Sequence, residues 1–355
     1  MKKVRYAIIG FGGIAENRIA KEGFGCDAKR VGTVANAELV GATDVNPARE
    51  KAAKALGLKW YKNQDAILAD KTIDAVFVAT NNLTHAAIAE AALNAGKHVI
   101  VEKPLAATSK EAAKLVKLAK AKKLSLGVDH MMVKNVLNKK ARRMIKGGKL
   151  GAVNDASFHM EFAYGYDSAE AKTWRCNNMA EMGGPIGDVA SHCFYMAEFM
   201  FDSEVVAVNA VYYPKLMNFA AEDGAYVRFT LASGLICSAK VAFCEMRGGL
   251  GGTLGNLGYE IYGDKGVLRS YGTMFQLSGY PDEPFKQRLE LDTFDKQQKF
   301  TIAKPENIYQ GIISEHAESI LKNRPLSAID GCRNVQLCEA AHKSAKKGGA
   351  TVEVK

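Results

Sequence analysis

The chain has 355 residues, 48% of them apolar and 24% charged, with a formal net charge of +10. It is too long for one ordinary domain, and its composition is that of a soluble globular protein with enough apolar mass for sizeable cores. No apolar run approaches a membrane span and the opening Met1-Lys2-Lys3 is not followed by a signal-peptide core, which sets the membrane and exported classes aside and makes a cytoplasmic location the expectation.

The positive charge is uneven. Lys134, Lys139, Lys140, Arg142, Arg143, Lys146 and Lys149 follow one another with no acid between them, a run that reads as a solvated helix face helping to attract an anionic ligand. No nucleic-acid motif or aromatic interleaving accompanies it, so nucleic acid is not an expected partner. Seven cysteines, odd in number and without metal-ligand spacing, read as reduced thiols.

In chain order, a strand-like run over 6–9 enters glycines at Gly10, Gly12 and Gly13 and gives way at Ile14 to a helix-like segment over 14–20. Gly10 permits a tight turn, Gly12 lets a pyrophosphate approach the backbone, and Ala15 is small enough for the helix to pack on the strand. The helix start, with Gly13 and Ile14, then offers unpaired amides to phosphates, which makes this turn the candidate cradle of a dinucleotide.

A second strand over 38–43 ends in Asp44, an acid that can accept hydrogen bonds from both ribose hydroxyls of NAD and would repel the extra phosphate of NADP. A loop over 21–33 carries it beyond the usual spacing of about 20 residues. Capping a helix that starts at Pro47 is the alternative role for Asp44, and Arg49 could instead cradle a 2′-phosphate. NAD is the expected cofactor, with NADP the second choice.

A buried strand over 73–80 then ends in Thr80 and Asn81 and leads to an alanine-rich helix near His85. Polar residues at this end of a parallel strand sit where ligands bind, so Thr80, Asn81 and His85 are cofactor candidates, with helix capping the other reading of the first two. The next strand, over 98–101, delivers Glu102, Lys103 and Pro104. Strands alternating with helices predict a doubly wound parallel sheet over residues 1–129.

Glu102-Lys103-Pro104 after a strand, together with the glycine turn, resembles the Gfo/Idh/MocA family of glucose-fructose oxidoreductases, inositol dehydrogenases and rhizopine-catabolism proteins. Trp174-Arg175, the glycine-rich run from Gly183 to Gly187 followed by Asp188, three residues and His192, and the ending from Arg324-Pro325-Leu326 to Gly348 resemble it too. The resemblance implies a Rossmann domain and an NAD(P)-dependent oxidoreductase acting on a sugar, cyclitol or related polyol. It implies His192 as proton acceptor, Lys103 as the group polarising the substrate oxygen, Asp188 as partner of substrate or histidine, Glu102 and Arg175 beside the cofactor, and a cis peptide before Pro104.

These roles suit the chemistry. Oxidising a secondary alcohol needs a base near neutrality and a cation beside the developing oxyanion, and histidine is the natural base. Asp188 and His192, four apart, share one helix face. The chain departs from many relatives three residues after the histidine, where Tyr195 replaces an acid, so their substrate contacts do not transfer directly. His130, Asn135 and Arg175 are placed near the same cleft, and Cys193 reads as a buried thiol. A metal on Asp188 and His192 would need a further ligand such as His159 or Glu161 and is set aside.

From about Gly151 strand follows strand: 153–162, 205–213, 226–231, 235–243 and 259–262, with hairpin turns at Ala232-Ser233-Gly234 and Gly263-Asp264-Lys265-Gly266. Residues 130–355 are therefore expected to form an α+β domain with a large, mostly antiparallel open sheet. The resemblance implies that one sheet face makes a homodimer or homotetramer. The glycine-dense stretch 247–258 reads as a surface loop or a lid, and 307–321 as a helix with Ile308, Ile312, Ile313, Ala317 and Ile320 on one face. A non-catalytic dinucleotide sensor and an NAD-assisted glycoside-cleaving enzyme are the rival functions for such a scaffold. Retention of both Lys103 and His192 favours the dehydrogenase over the sensor.

Overall fold

The computed structural model describes residues 2–245, 254–274, 286–303 and 306–354. The chain divides into two compact units, Met1–Lys134 with Glu306–Val335, and Asn135–Pro305 with Gln336–Lys355.

In the first unit β1 (Val4–Ile9), β2 (Ala37–Thr43), β3 (Lys59–Trp60), β4 (Ala75–Val78), β5 (His98–Val101) and β6 (Leu126–Val128) form one parallel sheet in the order β3-β2-β1-β4-β5-β6. A sheet covered on both faces needs apolar residues at successive positions. The paired residues Ile8, Phe77 and Ile100 are wholly buried across its middle. Strand order reverses between β1 and β4, and the carboxyl ends of strands beside such a reversal are where open α/β sheets bind ligands. The strands hand distinct residues to that edge: Gly10 follows β1, Asp44 follows β2, Thr80 lies two past β4, Glu102 follows β5 and Asp129 follows β6.

The first helix, Ala15–Gly23, is wound wide at its end, with the Phe24 amide donating to the Ile19 carbonyl at 2.8 Å. The helix Ile308–Leu321 belongs to the same unit, and Asn307 caps it by accepting from the Tyr309 and Gln310 amides at 3.0 and 3.2 Å. It buries Ile312, Ile313 and Ala317 as the periodicity predicts, and also Tyr309 and His316. His316 Nδ1 lies 2.7 Å from the Tyr6 hydroxyl of β1. Burial, and then the neighbouring His98, push the His316 imidazole down to about 3, so it is neutral at physiological pH. A Cβ on Gly23 would come within 2.9 Å of Ile313 Cδ1, which is why the first helix ends in a glycine where the late helix presses on it.

The second unit is built on a nine-stranded sheet, β14-β13-β12-β11-β7-β10-β9-β8-β15, comprising β7 (Val153–Glu161), β8 (Val205–Tyr212), β9 (Gly224–Leu231), β10 (Ile236–Ala242), β11 (Leu257–Gly263), β12 (Gly266–Tyr271), β13 (Arg288–Thr293), β14 (Gln297–Thr301) and β15 (Val352–Glu353). Its ladders are antiparallel except between β7 and β10. The sequence reading anticipates β7 to β11 and both hairpin turns but not β12 to β15. β13 buries only Leu289 and Leu291 and β14, mostly polar, buries nothing, so the pair gives little apolar signal. Of the glycine-dense stretch, positions 247–253 lie outside the described residues. Leu257 and Gly258 open β11, so the end of that stretch is strand rather than loop.

The helix Ser191–Phe201 packs in this unit through Phe194, whose ring meets Phe229 edge-on at 5.3 Å; Phe229 and Tyr259 flank Phe158 at 6.3 and 5.9 Å. Val211, Tyr226 and Ile236 are exposed on the other sheet face. The basic run lies largely on the helix Val136–Lys146, where Arg142 and Lys146 both hold Asp202 at 3.0 and 2.7 Å and Lys140 covers the Phe300 ring.

Candidate active site

The glycine turn has two kinds of glycine. Gly10 has φ +92°, and a Cβ there would sit 2.5 Å from Thr80 Cγ2 and 2.8 Å from the Ala79 backbone, so the fold itself demands glycine. A Cβ on Gly12 or Gly13 would meet nothing within 4 Å. Packing therefore does not require those two, and the open space beside them fits a bound pyrophosphate. Ile14 is exposed and makes no side-chain capping bond; the Glu16 amide donates to the Gly12 carbonyl at 2.9 Å, so it is the amides before Glu16 that a phosphate would use.

Asp44 leaves β2 half-buried and accepts from the Asn46 amide at 2.8 Å. The helix at Pro47 is capped by Asn46, not by Asp44, because the asparagine side chain reaches the Ala48 amide at 3.0 Å. Arg49 is turned to the glycine turn: Nε donates to the Phe11 carbonyl at 2.6 Å and Nη2 to Glu16 Oε2 at 2.6 Å. Hydrogen bonds from Lys21 first, then Arg49, hold the Glu16 carboxyl below its ordinary range against the opposing effect of burial.

Thr80 accepts a hydrogen bond from Thr84 at 2.8 Å, and Asn81 is the exposed N-cap of Asn82–Asn94 with no side-chain capping bond. Capping does not occupy the Asn81 amide. His85 is wholly buried, with Nδ1 2.8 Å from the Pro104 carbonyl and Nε2 3.1 Å from the Thr80 carbonyl. It ties two loops of the sheet edge together and faces no solvent. The Lys103–Pro104 peptide is cis, Lys103 is half-buried, and its amide donates to Glu102 Oε2 at 3.2 Å. His130 Nδ1 lies 3.0 Å from Asp330 Oδ2.

In the second unit a wide-wound segment, Ile186–Ala190, runs directly into Ser191–Phe201 and carries Asp188 and His192, both nearly buried. A Cβ on Gly183 would fall 2.6 Å from the Trp174 carbonyl oxygen, and one on Gly187 2.2 Å from that of Met182. Only glycines let the turn fold this tightly on the segment holding Trp174 and Arg175. Arg175 Nε then pairs with Asp188 Oδ2 at 3.3 Å, with its guanidinium 5.0 Å from the Trp174 ring. His192 Nδ1 lies 2.8 Å from the Tyr195 hydroxyl, so the phenol holds the ring. Asn135 is spent on capping Val136–Lys146 and on Gln287 at 2.9 Å. Cys193 is wholly buried and its thiol is pushed well above its ordinary range by burial, then by Glu161. Among the described residues no three His, Cys, Asp or Glu side chains gather as a metal site.

Sequence reasoning missed Glu222. Its Oε1 accepts from the Ile186 amide at 2.9 Å at the start of the helix bearing Asp188 and His192, and Gly184, φ +84°, makes room for its carboxyl. Burial raises this carboxyl to about 7, against the lowering effect of the Ile186 amide. The acidic pair Glu222-Asp223 directly before β9 was the available signal.

Two predictions follow from this geometry. Gly10→Ala should cost about 2–4 kcal/mol of stability, whereas Gly12→Ala should melt with the wild type yet bind NADH about ten-fold more weakly, about 1.4 kcal/mol; calorimetry and titration read both. For Glu222 the folded pKa lies above the unfolded one, so its contribution is complete below about pH 4 and is lost as pH rises through about 7. Glu222→Gln should shrink the loss of stability between pH 5 and pH 8.5 by on the order of 3 kcal/mol, and an unchanged loss in denaturant titrations would refute the assignment.

Residues 4–130 match the profile of an oxidoreductase family with an NAD-binding Rossmann fold, and residues 138–269 match the GFO/IDH/MocA C-terminal domain. The 1,5-anhydro-D-fructose reductase of Ensifer adhaerens is 28% identical over 214 residues, 60% of this chain and 61% of that protein. Levoglucosan dehydrogenase of Pseudarthrobacter phenanthrenivorans is 33% identical over 178 residues, 47% of this chain and 43% of that protein. The chain thus spans about half the length of the curated relatives it matches. Among solved structures, an aldose-aldose oxidoreductase from Caulobacter crescentus superposes with a TM-score of 0.83 at 22% identity, over 99% of this chain and 100% of that one. A levoglucosan dehydrogenase in complex with NADH and levoglucosan gives 0.82 at 21%, over 99% and 100%. With both of its domain profiles matched in order and the same fold over nearly the whole length, the chain belongs to the Gfo/Idh/MocA family of oxidoreductases.

Proposed function

We propose that the chain is an NAD-dependent oxidoreductase that moves a hydride between nicotinamide and a secondary alcohol of a sugar, cyclitol or related polyol. The observation that carries this reading is His192, whose ring is oriented by Tyr195 on the helix that also bears the Arg175-paired Asp188. With Nδ1–H donated to the Tyr195 hydroxyl, Nε2 presents its lone pair and takes the alcohol proton; in the reverse direction the imidazolium returns it. Lys103 places an ammonium at the oxygen that gains negative charge, an electrostatic contribution of the kind aimed at a developing oxyanion. Bound nicotinamide supplies the hydride acceptor or donor. Asp188, with its charge met by Arg175, orients substrate hydroxyls or the imidazole.

The sugar class is taken from the names of relatives, a 1,5-anhydro-D-fructose reductase and a levoglucosan dehydrogenase among them. Tyr195 holds the His192 ring through its hydroxyl and is a neutral donor and acceptor beside it. NAD is preferred over NADP because Asp44 stands after β2 and Arg49 is already bonded to Glu16 and the Phe11 carbonyl.

A screen of sugars and polyols by NADH absorbance identifies the substrate. With it, Lys103→Met should lower kcat by about 100- to 1,000-fold with NADH affinity nearly intact, and His192→Asn should remove the dependence of rate on a group titrating near neutrality. Full activity in the Lys103 variant takes lysine out of the mechanism. Asp44→Ala should weaken NAD more than NADP, measured as the ratio of their dissociation constants; an unmoved ratio leaves Asp44 as the acceptor of the Asn46 amide and nothing more.

A further inference from the structure

Beneath Lys103 lies a buried polar cluster that the proposed reaction does not use. Val101 and Val128 are paired across β5 and β6, and the Asp129 amide donates to the Val101 carbonyl at 2.9 Å, so Glu102 and Asp129 leave the sheet side by side. Asp129 has no exposed surface, and no N–H or O–H among the described residues reaches either of its carboxyl oxygens. The group within hydrogen-bonding reach is another acid, Glu102, whose Oε2 accepts the Lys103 amide at 3.2 Å. From the Ile308–Leu321 helix comes Tyr309, buried, with a hydroxyl that bonds to nothing among the described residues and that feels the charge of both acids.

We propose that Asp129 is a positioning residue: it keeps its proton and donates it to the Glu102 carboxylate, so that one negative charge shared by two carboxyl groups holds the Lys103 backbone at the end of β5. This rests on the reading of Lys103 as the oxygen-polarising group and adds the device that steadies it. Two ionised carboxylates in contact would combine a full desolvation penalty with like-charge repulsion, and a shared proton removes one of the charges and supplies the missing donor. Neither Asp129 oxygen accepts from the ionisable groups nearby: Arg18, which faces Tyr309 from the first helix, is paired with Glu22 at 3.1 Å, and His130, next in the chain, with Asp330. Burial, then Glu102, push the Asp129 carboxyl well above its ordinary range. The shared proton is therefore lost, and the pair broken, as pH rises through that elevated value.

The test begins without substrate. In intact protein carrying Glu222→Gln, which removes another raised carboxyl, infrared spectra at pH 7 should show a protonated carboxylic acid band that Asp129→Asn abolishes. Absence of the band overturns the proposal even if the variant fails to fold. With substrate, Asp129→Asn, which keeps an N–H for Glu102, should hold kcat within about three-fold at pH 7 and move its alkaline limb, whereas Asp129→Leu should lose about 10- to 100-fold with NADH affinity unchanged. Equal kcat in the two variants overturns the positioning role. A wild-type protein inactive on every sugar and polyol removes the reading of Lys103 while the infrared result still decides whether the acids share a proton.

Discussion

A parallel sheet buried on both faces has one place to keep polar chemistry, the edge where its strands stop. Inside the sheet an unpaired polar side chain costs about 1–3 kcal/mol, and β4, wholly buried, accordingly contains only Ala75, Val76, Phe77 and Val78. At the edge the ladder ends, the backbone turns, and a polar residue can face outward. The reversal of order between β1 and β4 opens room there, and the glycine turn, Asp44, Thr80 and the Glu102-Lys103-Pro104 loop all take their places from it.

The second unit solves a different problem, holding a histidine in one orientation on a helix. Phe194 fixes the helix in the core through Phe229, the glycines let its approach fold tightly, and Tyr195 fixes the ring of His192. A carboxylate at Nδ1 would enforce one tautomer by accepting from it. A phenol oxygen accepts from Nδ1–H as well, without bringing a charge beside the ring.

What the sequence made legible follows from how local each signal was. The glycine turn, Asp44 and Glu102-Lys103-Pro104 each sit beside an apolar run whose length and end mark a buried strand, and a strand end is a position in space once the sheet is parallel. Asp129 obeys the same rule but follows β6, three residues long, too short to register as a strand. The partners of His85 were not legible, because the Thr80 and Pro104 carbonyls are backbone atoms with no signature of their own. Glu222 was marked only by its acidic neighbour Asp223, because its partner is the Ile186 amide, 36 residues away, and pairing at that distance is decided by the fold rather than by local pattern.

The helix Ile308–Leu321 carries a consequence for biosynthesis. Tyr6 in the first strand finds its partner only at His316, and Ser125 finds Ser319, so the first unit is sewn shut by a segment made some 310 residues after it begins. On the ribosome the six strands emerge with the seat of that helix bare, and a chaperone or the chain's own transient contacts must shield it while the nine-stranded sheet is still being synthesised. The nucleotide-binding unit, first to be translated, is among the last to be completed.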